Sequence, residues 1–407
     1  MPRRILHYVK ELRLEQGGVV RAMIDMCSLI ARSGDEVTAL ATDPKDAPDA
    51  WKAASPPPGT PKLVDIGRPA GRLGRFSSAQ IARVRDLISR HDVVHIHSMW
   101  TPSNIQIAAL CRSLGVQYVL SVHGMLDDWS MAQSRAKKRV FLLLGGNAML
   151  RGAASVHFTA QAELDQGVKW IGSGAARGVV VPLLFDLAPF GRLPGPELAR
   201  ERFADAFAGA SKTFLFLSRL HYKKGPDALI RAAIQLRASR PDARILIAGS
   251  GEPAYEKELA DLAHGLGVDG FVRFLGFVSG DLKLSLYQAA DVFVLPTSQE
   301  NFGYVFFEAL ACGTPVLTTR GVDTWPEIEA SGGGRIIDFP TVGDEGLARA
   351  LNDIAGLELS TMGQAGRDWV FANLSERVIA ERFQALYSRL ARSQSRDPGQ
   401  AALPATR

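Results

Sequence analysis

The sequence predicts an α/β fold class: two doubly wound, Rossmann-like domains. Two observations carry the prediction. Short apolar, β-branched runs alternate with amphipathic helical stretches through the first half, and the alternation resumes after a proline-bearing break at 182–196. At 407 residues the chain is long enough for two domains with separate cores.

The elements follow in order. Positions 4–9 read as the first strand. Gly17 and Gly18 then open a helix that carries Val19, Met23, Met26, Cys27 and Ile30 on one face and closes at Gly34. Positions 36–41 form the second strand, and proline, glycine and alanine crowd 44–74, which reads as a long excursion at the domain edge. Further strands are expected at 93–97, 118–122, 155–158 and 179–181, with helices between them. The break is read as a linker, which places the first domain at 1–187 and the second at 188–372. A helix at 373–392 follows the second sheet, and the polar, proline-bearing stretch 393–407 is expected to be disordered.

Composition permits this architecture and excludes some partners. Hydrophobic residues make up 46% and charged residues 22%, as in ordinary globular proteins. The 47 basic and 42 acidic groups leave a net charge of +5, too small a surplus to argue for nucleic acid. Cys27, Cys111 and Cys312 are widely spaced in apolar contexts and read as buried free thiols without metal spacing. A strand begins almost at Met1, so no signal peptide is read, and the apolar run 140–144 is far too short to span a bilayer.

The chemistry concentrates in the second half. An apolar strand at 291–296 runs into a loop with Glu300 and Gly303, then into a helix bearing Val305, Phe306, Ala309, Leu310 and Cys312 that closes at Gly313. Gly303, Tyr304 and Val305 present backbone N–H groups at that helix start, a natural place for an anion. Glu308 stands over a turn deeper. An anion between two carboxylates, each able to grip a hydroxyl pair, describes a nucleotide-sugar: sugar, diphosphate, ribose. Two unrelated glutamates on a surface helix are the plainer alternative, but the flanking strand and glycines weigh against it. Upstream, a strand at 213–217 leads through Arg219 and Lys224 to a helix opened by Pro226. A guanidinium fork and an ammonium point charge suit a diphosphate and stabilise charge that grows as it departs. A solvated basic turn would look the same in isolation. Gly249 and Gly251 fit a tight turn and a ligand contact equally well.

Ser218-Arg219-Leu220 with Lys224-Gly225, Ile247-Ala248-Gly249-Ser250-Gly251, Phe274-Leu275-Gly276-Phe277-Val278 and the stretch 296–316 together resemble the retaining glycosyltransferases of family 4. That family has the GT-B fold, in which two such domains face a central cleft. The resemblance implies that Arg219 and Lys224 hold the diphosphate, Glu300 contacts the donor sugar and Glu308 the ribose. It further implies donor contacts from Gly17, Gly18, Gly249, Phe277, Val278, Asn301, Phe302, Gly303, Tyr304 and Val305. Asn301 stands where the family often has glycine, which leaves the donor sugar open. A C-terminal helix of such enzymes returns to brace the first domain, and 373–392 is expected to do so.

His123 ends a strand beside Gly124, where it can donate to a sugar hydroxyl or a developing charge, or merely cap its own loop. The run His123-Gly124-Met125-Leu126-Asp127 is similar to family 4 enzymes of bacterial surface-polysaccharide assembly, which implies a catalytic His123 alongside Arg219, Lys224 and Glu300. His97, Trp100 and Asp127 are expected on the acceptor side, although Trp100 could simply pack and Asp127 could cap a helix. No Asp-x-Asp occurs in the chain, so no metal and no cofactor are expected, and the cations and helix start would do a metal's electrostatic work. By resemblance, transfer retains configuration through same-face attack, the leaving phosphate taking the acceptor's proton.

The resulting expectation is a hexosyltransferase that uses a nucleotide-sugar and a glycan or polyprenyl-phosphate-linked acceptor in surface-polysaccharide biosynthesis. A nucleotide-sugar epimerase or hydrolase on the same fold, and a non-catalytic sugar-nucleotide-binding protein, remain as alternatives. Arg135, Lys137, Lys138 and Arg139 precede an apolar stretch, which fits contact with anionic lipid as well as it fits a helix covering the sheet. The expected location is the cytoplasm, with peripheral contact at the inner face of the plasma membrane as the variant this segment raises.

Overall fold

The computed structural model describes residues 2–16, 18–172 and 177–394. The chain divides into two compact units. The first comprises Met1–Thr159, Glu163–Leu184 and the chain from Glu376 on; the second comprises Ala160–Ala162 and Phe185–Ser375.

The first unit is built on a seven-stranded parallel sheet in the order β3-β2-β1-β4-β5-β6-β7. The strands are β1 Arg4–Tyr8, β2 Glu36–Ala41, β3 Lys62–Asp65, β4 Val93–His97, β5 Gln117–Ser121, β6 Ser155–Phe158 and β7 Gly178–Val180. Side chains alternate between the two faces. Leu6, Tyr8, Val94, Ile96, Tyr118 and Leu120 pack with Val84, Ile88, Ile107 and Cys111 of helices Ser78–Ser89 and Pro102–Leu114. On the opposite face Ile5, Val93 and Val119 pack with Met23, Met26 and Ile30 of helix Gly18–Arg32 and with Ile379, Phe383 and Tyr387 of helix Glu376–Gln394. The same alternation turns His7, His95, His97, Ser121 and His157 toward that second face.

β3 lies inside the stretch read from sequence as an excursion. It is a short edge strand with no fully buried residue, so it shows none of the apolar run that marks the central strands. The C-terminal helix continues through Gln394, two residues past the expected 392, and residues 395–407 of the expected tail lie outside the described residues.

The second unit carries a six-stranded parallel sheet in the order β10-β9-β8-β11-β12-β13. Its strands are β8 Lys212–Leu217, β9 Ala243–Ala248, β10 Val272–Gly276, β11 Val292–Leu295, β12 Val316–Thr319 and β13 Gly334–Ile337. Strand order reverses between β8 and β11, which are hydrogen-bonded neighbours. Loops leaving the carboxyl ends of two such strands diverge and open a crevice. The three cysteines are buried and unpaired. Among the described residues no helix is long and apolar enough to cross a membrane.

Candidate functional site

The loops after β8 and β11 carry the predicted charges and are tied together by backbone. Ser298 N–H donates to the Lys223 carbonyl at 2.8 Å and the Thr297 hydroxyl to the same oxygen at 3.0 Å. Gly225 has φ +69, and a Cβ there would lie 2.5 Å from the Pro296 carbonyl oxygen, so only glycine allows the approach. The consequence is an ion pair between Lys224 Nζ and Glu300, with side chains 14% and 27% exposed. Burial, and then the neighbouring charges of Arg219 and Lys223, pull the Lys224 ammonium from the ordinary lysine value of 10.5 to about 8. Glu300 acts in the opposite sense and favours the charged form. Arg219 is exposed and has no carboxylate partner among the described residues, which leaves its guanidinium available to an anion.

The Glu300 loop is strapped from the other side. Glu300 N–H donates to Gly321 O at 2.8 Å, Asp323 N–H returns a bond to Glu300 O at 2.9 Å, and the Asn301 amide donates to Asp323 Oδ2 at 3.0 Å. Gly303 has φ +68, and a Cβ would meet the Phe306 ring at 2.5 Å. This turn delivers the chain into helix Tyr304–Ala311, whose start has no side-chain cap. In its first turn the Phe306 N–H donates to the Gly303 carbonyl at 3.0 Å, and the helix start carries the positive end of the helix dipole. Glu308 accepts from Lys283 Nζ at 2.8 Å and from the Tyr287 hydroxyl at 3.2 Å. Neither partner was singled out from sequence, because a lysine and a tyrosine on helix Gly280–Ala289 carry no local signature of a site.

A cavity of about 740 Å³ opens at these strand ends, lined by Arg219, Gly249, Phe277, Val278, Lys283, Val305 and Glu308 among others. That is the size of a small-molecule pocket. Phe277 is 73% exposed and offers an apolar face at its mouth. Lys224, Glu300, Asn301 and Gly303 are not in its wall; they form the adjoining loops. A Cβ on Gly249 would sit 1.9 Å from Ser218 O, and one on Gly251 2.2 Å from Leu220 O. Both glycines are therefore required by loop packing, whatever else they touch. Phe302 is 3% exposed and packs on the rings of Tyr304 and Phe307 at 5.1 and 5.0 Å. Its side chain shapes the loop and does not line the cavity, so the expected donor contact at this position falls to its main chain.

The remaining candidates lie in the first unit. His123 follows β5 with φ +48, a left-handed backbone uncommon outside glycine, and is 9% exposed. Buried Glu163 holds the loop by accepting from Gly124 N–H. His97 has no exposed surface and bonds to His7 and His123, so it has no direct route to an acceptor, contrary to expectation. Trp100 is half-buried, edge-on to Phe141 at 5.4 Å, with Lys138 Nζ 4.9 Å from its ring. Asp127 is 2% exposed and caps helix Asp128–Ala132 through Ser130 N–H, the plainer of its two expected roles. Gly18 opens helix Gly18–Arg32, and a Cβ there would meet nothing within 4 Å. Packing thus gives no reason for that glycine; Gly17 lies outside the described residues. His7, His95 and His97 bring ring nitrogens within 4.8 Å of one another, but five of their six nitrogens already take part in hydrogen bonds. The set fits a hydrogen-bond network better than a metal.

Fold and site together define a two-unit α/β protein with a cation- and amide-lined pocket at the carboxyl ends of a parallel sheet. Residues 199–369 match the family model described as glycosyl transferases group 1, and residues 17–183 match the glycosyl transferase 4-like domain. The chain is 30% identical over 260 residues to D-inositol 3-phosphate glycosyltransferase of Kineococcus radiotolerans, covering 61% of this chain and 58% of that protein. It is 29% identical over 322 residues to the GDP-mannose-dependent alpha-(1-6)-phosphatidylinositol monomannoside mannosyltransferase of Mycolicibacterium smegmatis, covering 75% and 79%. The match thus spans less than two thirds of the first of these relatives. Among solved structures, Anabaena Alr3699/HepE in complex with UDP superposes with a TM-score of 0.71 at 20% identity, over 95% of this chain and 100% of that one. WaaG, a glycosyltransferase involved in lipopolysaccharide biosynthesis, gives 0.60 at 18%, over 97% and 100%. The chain belongs to the family 4 type of glycosyltransferases and has the GT-B fold.

Proposed function

We propose that this protein is a retaining, metal-independent hexosyltransferase that takes a hexose from a nucleotide-sugar. The acceptor is a glycan or a polyprenyl-phosphate-linked saccharide of surface-polysaccharide biosynthesis. One observation carries the reading: an unpaired Arg219, a part-buried Lys224 paired with Glu300, and a helix start without a side-chain cap lie at one set of strand ends, with Glu308 in the wall of the cavity there. Such an array is complementary to a diphosphate flanked by two hydroxyl-bearing rings, and it stabilises a leaving nucleotide without a cation of its own. Glu308, positioned by Lys283 and Tyr287, suits a ribose; Glu300, beside Lys224, suits the donor sugar. The donor's phosphate oxygen takes the acceptor's proton, so no enzyme carboxylate acts as nucleophile.

The relatives' names point to a specific acceptor class as a second reading, a phosphorylated or lipid-borne inositol. UDP and GDP are the nucleoside diphosphates that their names and those of the structural neighbours support. Contact with a membrane is supported by Val140, Leu143 and Leu144, which are 54%, 80% and 72% exposed beside the exposed Arg135, Lys137 and Arg139. Thermal-shift screening against UDP-, GDP- and ADP-sugars, followed by product analysis with and without acceptor, tests the proposal. Loss of transfer in both Lys224→Ala and Glu300→Ala, with the fold intact, is the expected result. Full activity in both, or donor turnover that needs no acceptor, would refute it.

A further inference from the structure

Five of the eight histidines occupy one interior: His7, His95, His97, His123 and His157, none more than 9% exposed. They form two hydrogen-bonded chains. In the first, His7 Nδ1 lies 3.0 Å from His97 Nε2, and His97 Nδ1 lies 3.2 Å from His123 Nε2. The ring centroids are 5.3 and 5.5 Å apart with planes inclined by 24° and 20°. Those separations exceed the nitrogen distances by about one ring width, so the rings lie end to end with donors aimed at lone pairs. His7 Nε2, at the inner end, is buried without a partner. His123 Nδ1 is the outer end.

The second chain has a single proton arrangement. His157 Nε2 faces the Val181 carbonyl at 2.8 Å, which can only accept, so that nitrogen carries the proton. His157 Nδ1 must then accept from the Ser121 hydroxyl, Ser121 from His95 Nε2–H, and His95 Nδ1 from the Tyr387 hydroxyl, at 2.6, 2.6 and 2.7 Å. Every donor in it is used, and it supplies nothing to His7.

The first chain has two neutral arrangements. In one, His7 Nδ1–H donates to His97 and His97 Nδ1–H to His123, which leaves a bare lone pair on His7 Nε2 and the proton of His123 on Nδ1. In the other every bond is reversed, and His7 Nε2 becomes a buried N–H with no acceptor, the rarer and costlier orphan. Burial keeps the three rings neutral: His7 and His123 are pushed down to about 3, and His97 falls well below its ordinary value.

We infer that His7 and His97 are positioning residues that lock His123 as the Nδ1–H tautomer, a neutral hydrogen-bond donor held at the end of β5. The inference deepens the transferase reading and rests on it for what the donor serves: a sugar hydroxyl or phosphate oxygen that gains charge in transfer, stabilised without loss of the proton. The lock itself is independent of activity. Nitrogen-15 correlation spectra of the histidine-labelled full chain at neutral pH, with His123→Gln to assign the signal, should show one neutral Nδ1–H state at His123. His7→Leu removes the inner donor and should yield a mixture with Nε2–H. His7→Asn places an amide N–H where Nδ1–H stood and should restore the single state. His97→Phe, which removes both bonds, should give the same mixture. Transfer by His7→Leu should fall roughly tenfold in kcat with KM little changed, less than the ~10²–10³ of deleting a transition-state donor outright. A wild-type His123 protonated on Nε2 overturns the lock, and so does a tautomer unmoved in both His7→Leu and His97→Phe. The predicted tautomers without transfer from any nucleotide-sugar would instead refute the function and leave the lock standing.

Discussion

Mild acid should open the first unit before the second. His7 and His123 are held near 3 and His157 near 4, against an ordinary value of 6.5, and burial is the leading cause for each. His95 and His97 are shifted in the same direction. Between 6.5 and those folded values the unfolded chain binds protons that the folded chain refuses, so stability falls as pH falls through that window and levels off below it. At pH 5 the linkage amounts to about 2 kcal/mol per histidine, or about 6 kcal/mol for the three with stated values. Because one broken bond loosens the whole network, that sum is a ceiling. It is nevertheless comparable to the roughly 5–15 kcal/mol that holds a typical domain together. The second unit has only His221, lowered in the same direction but partly exposed, and the exposed His264, so this liability is smaller there. Hydrogen exchange read by mass spectrometry on the full chain, corrected for intrinsic rates, should show β1, β4, β5 and β6 opening near pH 5 while β8 and β11 stay protected. Simultaneous opening of both sheets, or a first unit still closed at pH 4, would refute the reasoning.

Other outcomes follow from the second unit and the exposed patch. Gly225→Ala forces a side chain onto the Pro296 carbonyl and should part Lys224 from Glu300; a displacement near 1 Å lowers transfer by about 10²-fold, measurable as kcat with folding checked by circular dichroism. Lys224 loses its charge as pH rises through about 8, so donor binding should weaken on that alkaline limb, and Lys224→Arg, which stays charged, should abolish the limb. The same group adds stability as pH rises from 8 toward 10.5, because the unfolded chain binds the extra proton there. Lys283→Met should raise KM for the donor with kcat nearly unchanged, since it removes one of the two partners that orient Glu308. Leu143→Asp with Leu144→Asp should reduce binding to anionic vesicles at low salt; unchanged binding would remove the patch from the account.

Much of the fold was legible because parallel strands are apolar on both faces and stand out against amphipathic helices. β8 and β11 are of this kind, β1 and β4 are apolar on one face and mix apolar residues with histidine on the other, and β3 is half-buried at the edge and gave no such signal. The donor contact at Phe302 was implied by the resemblance, which does not say where its ring points. Its ring turned inward because Phe307 and Tyr304 offer apolar surface on that side.

Local order alone determined the alternating architecture, the strand-end loops, and the types of charge they carry, since each depends on residues a few positions apart. Only the folded sheets decided which distant groups meet. Lys224 reaches Glu300 because β8 and β11 are neighbours, Glu308 meets Lys283 and Tyr287 across two helices, and His7 joins His97 and His123 because β1, β4 and β5 lie side by side. Hydrogen bonds and ion pairs act over a few ångströms, and positions dozens to hundreds of residues apart come within that range only through tertiary packing.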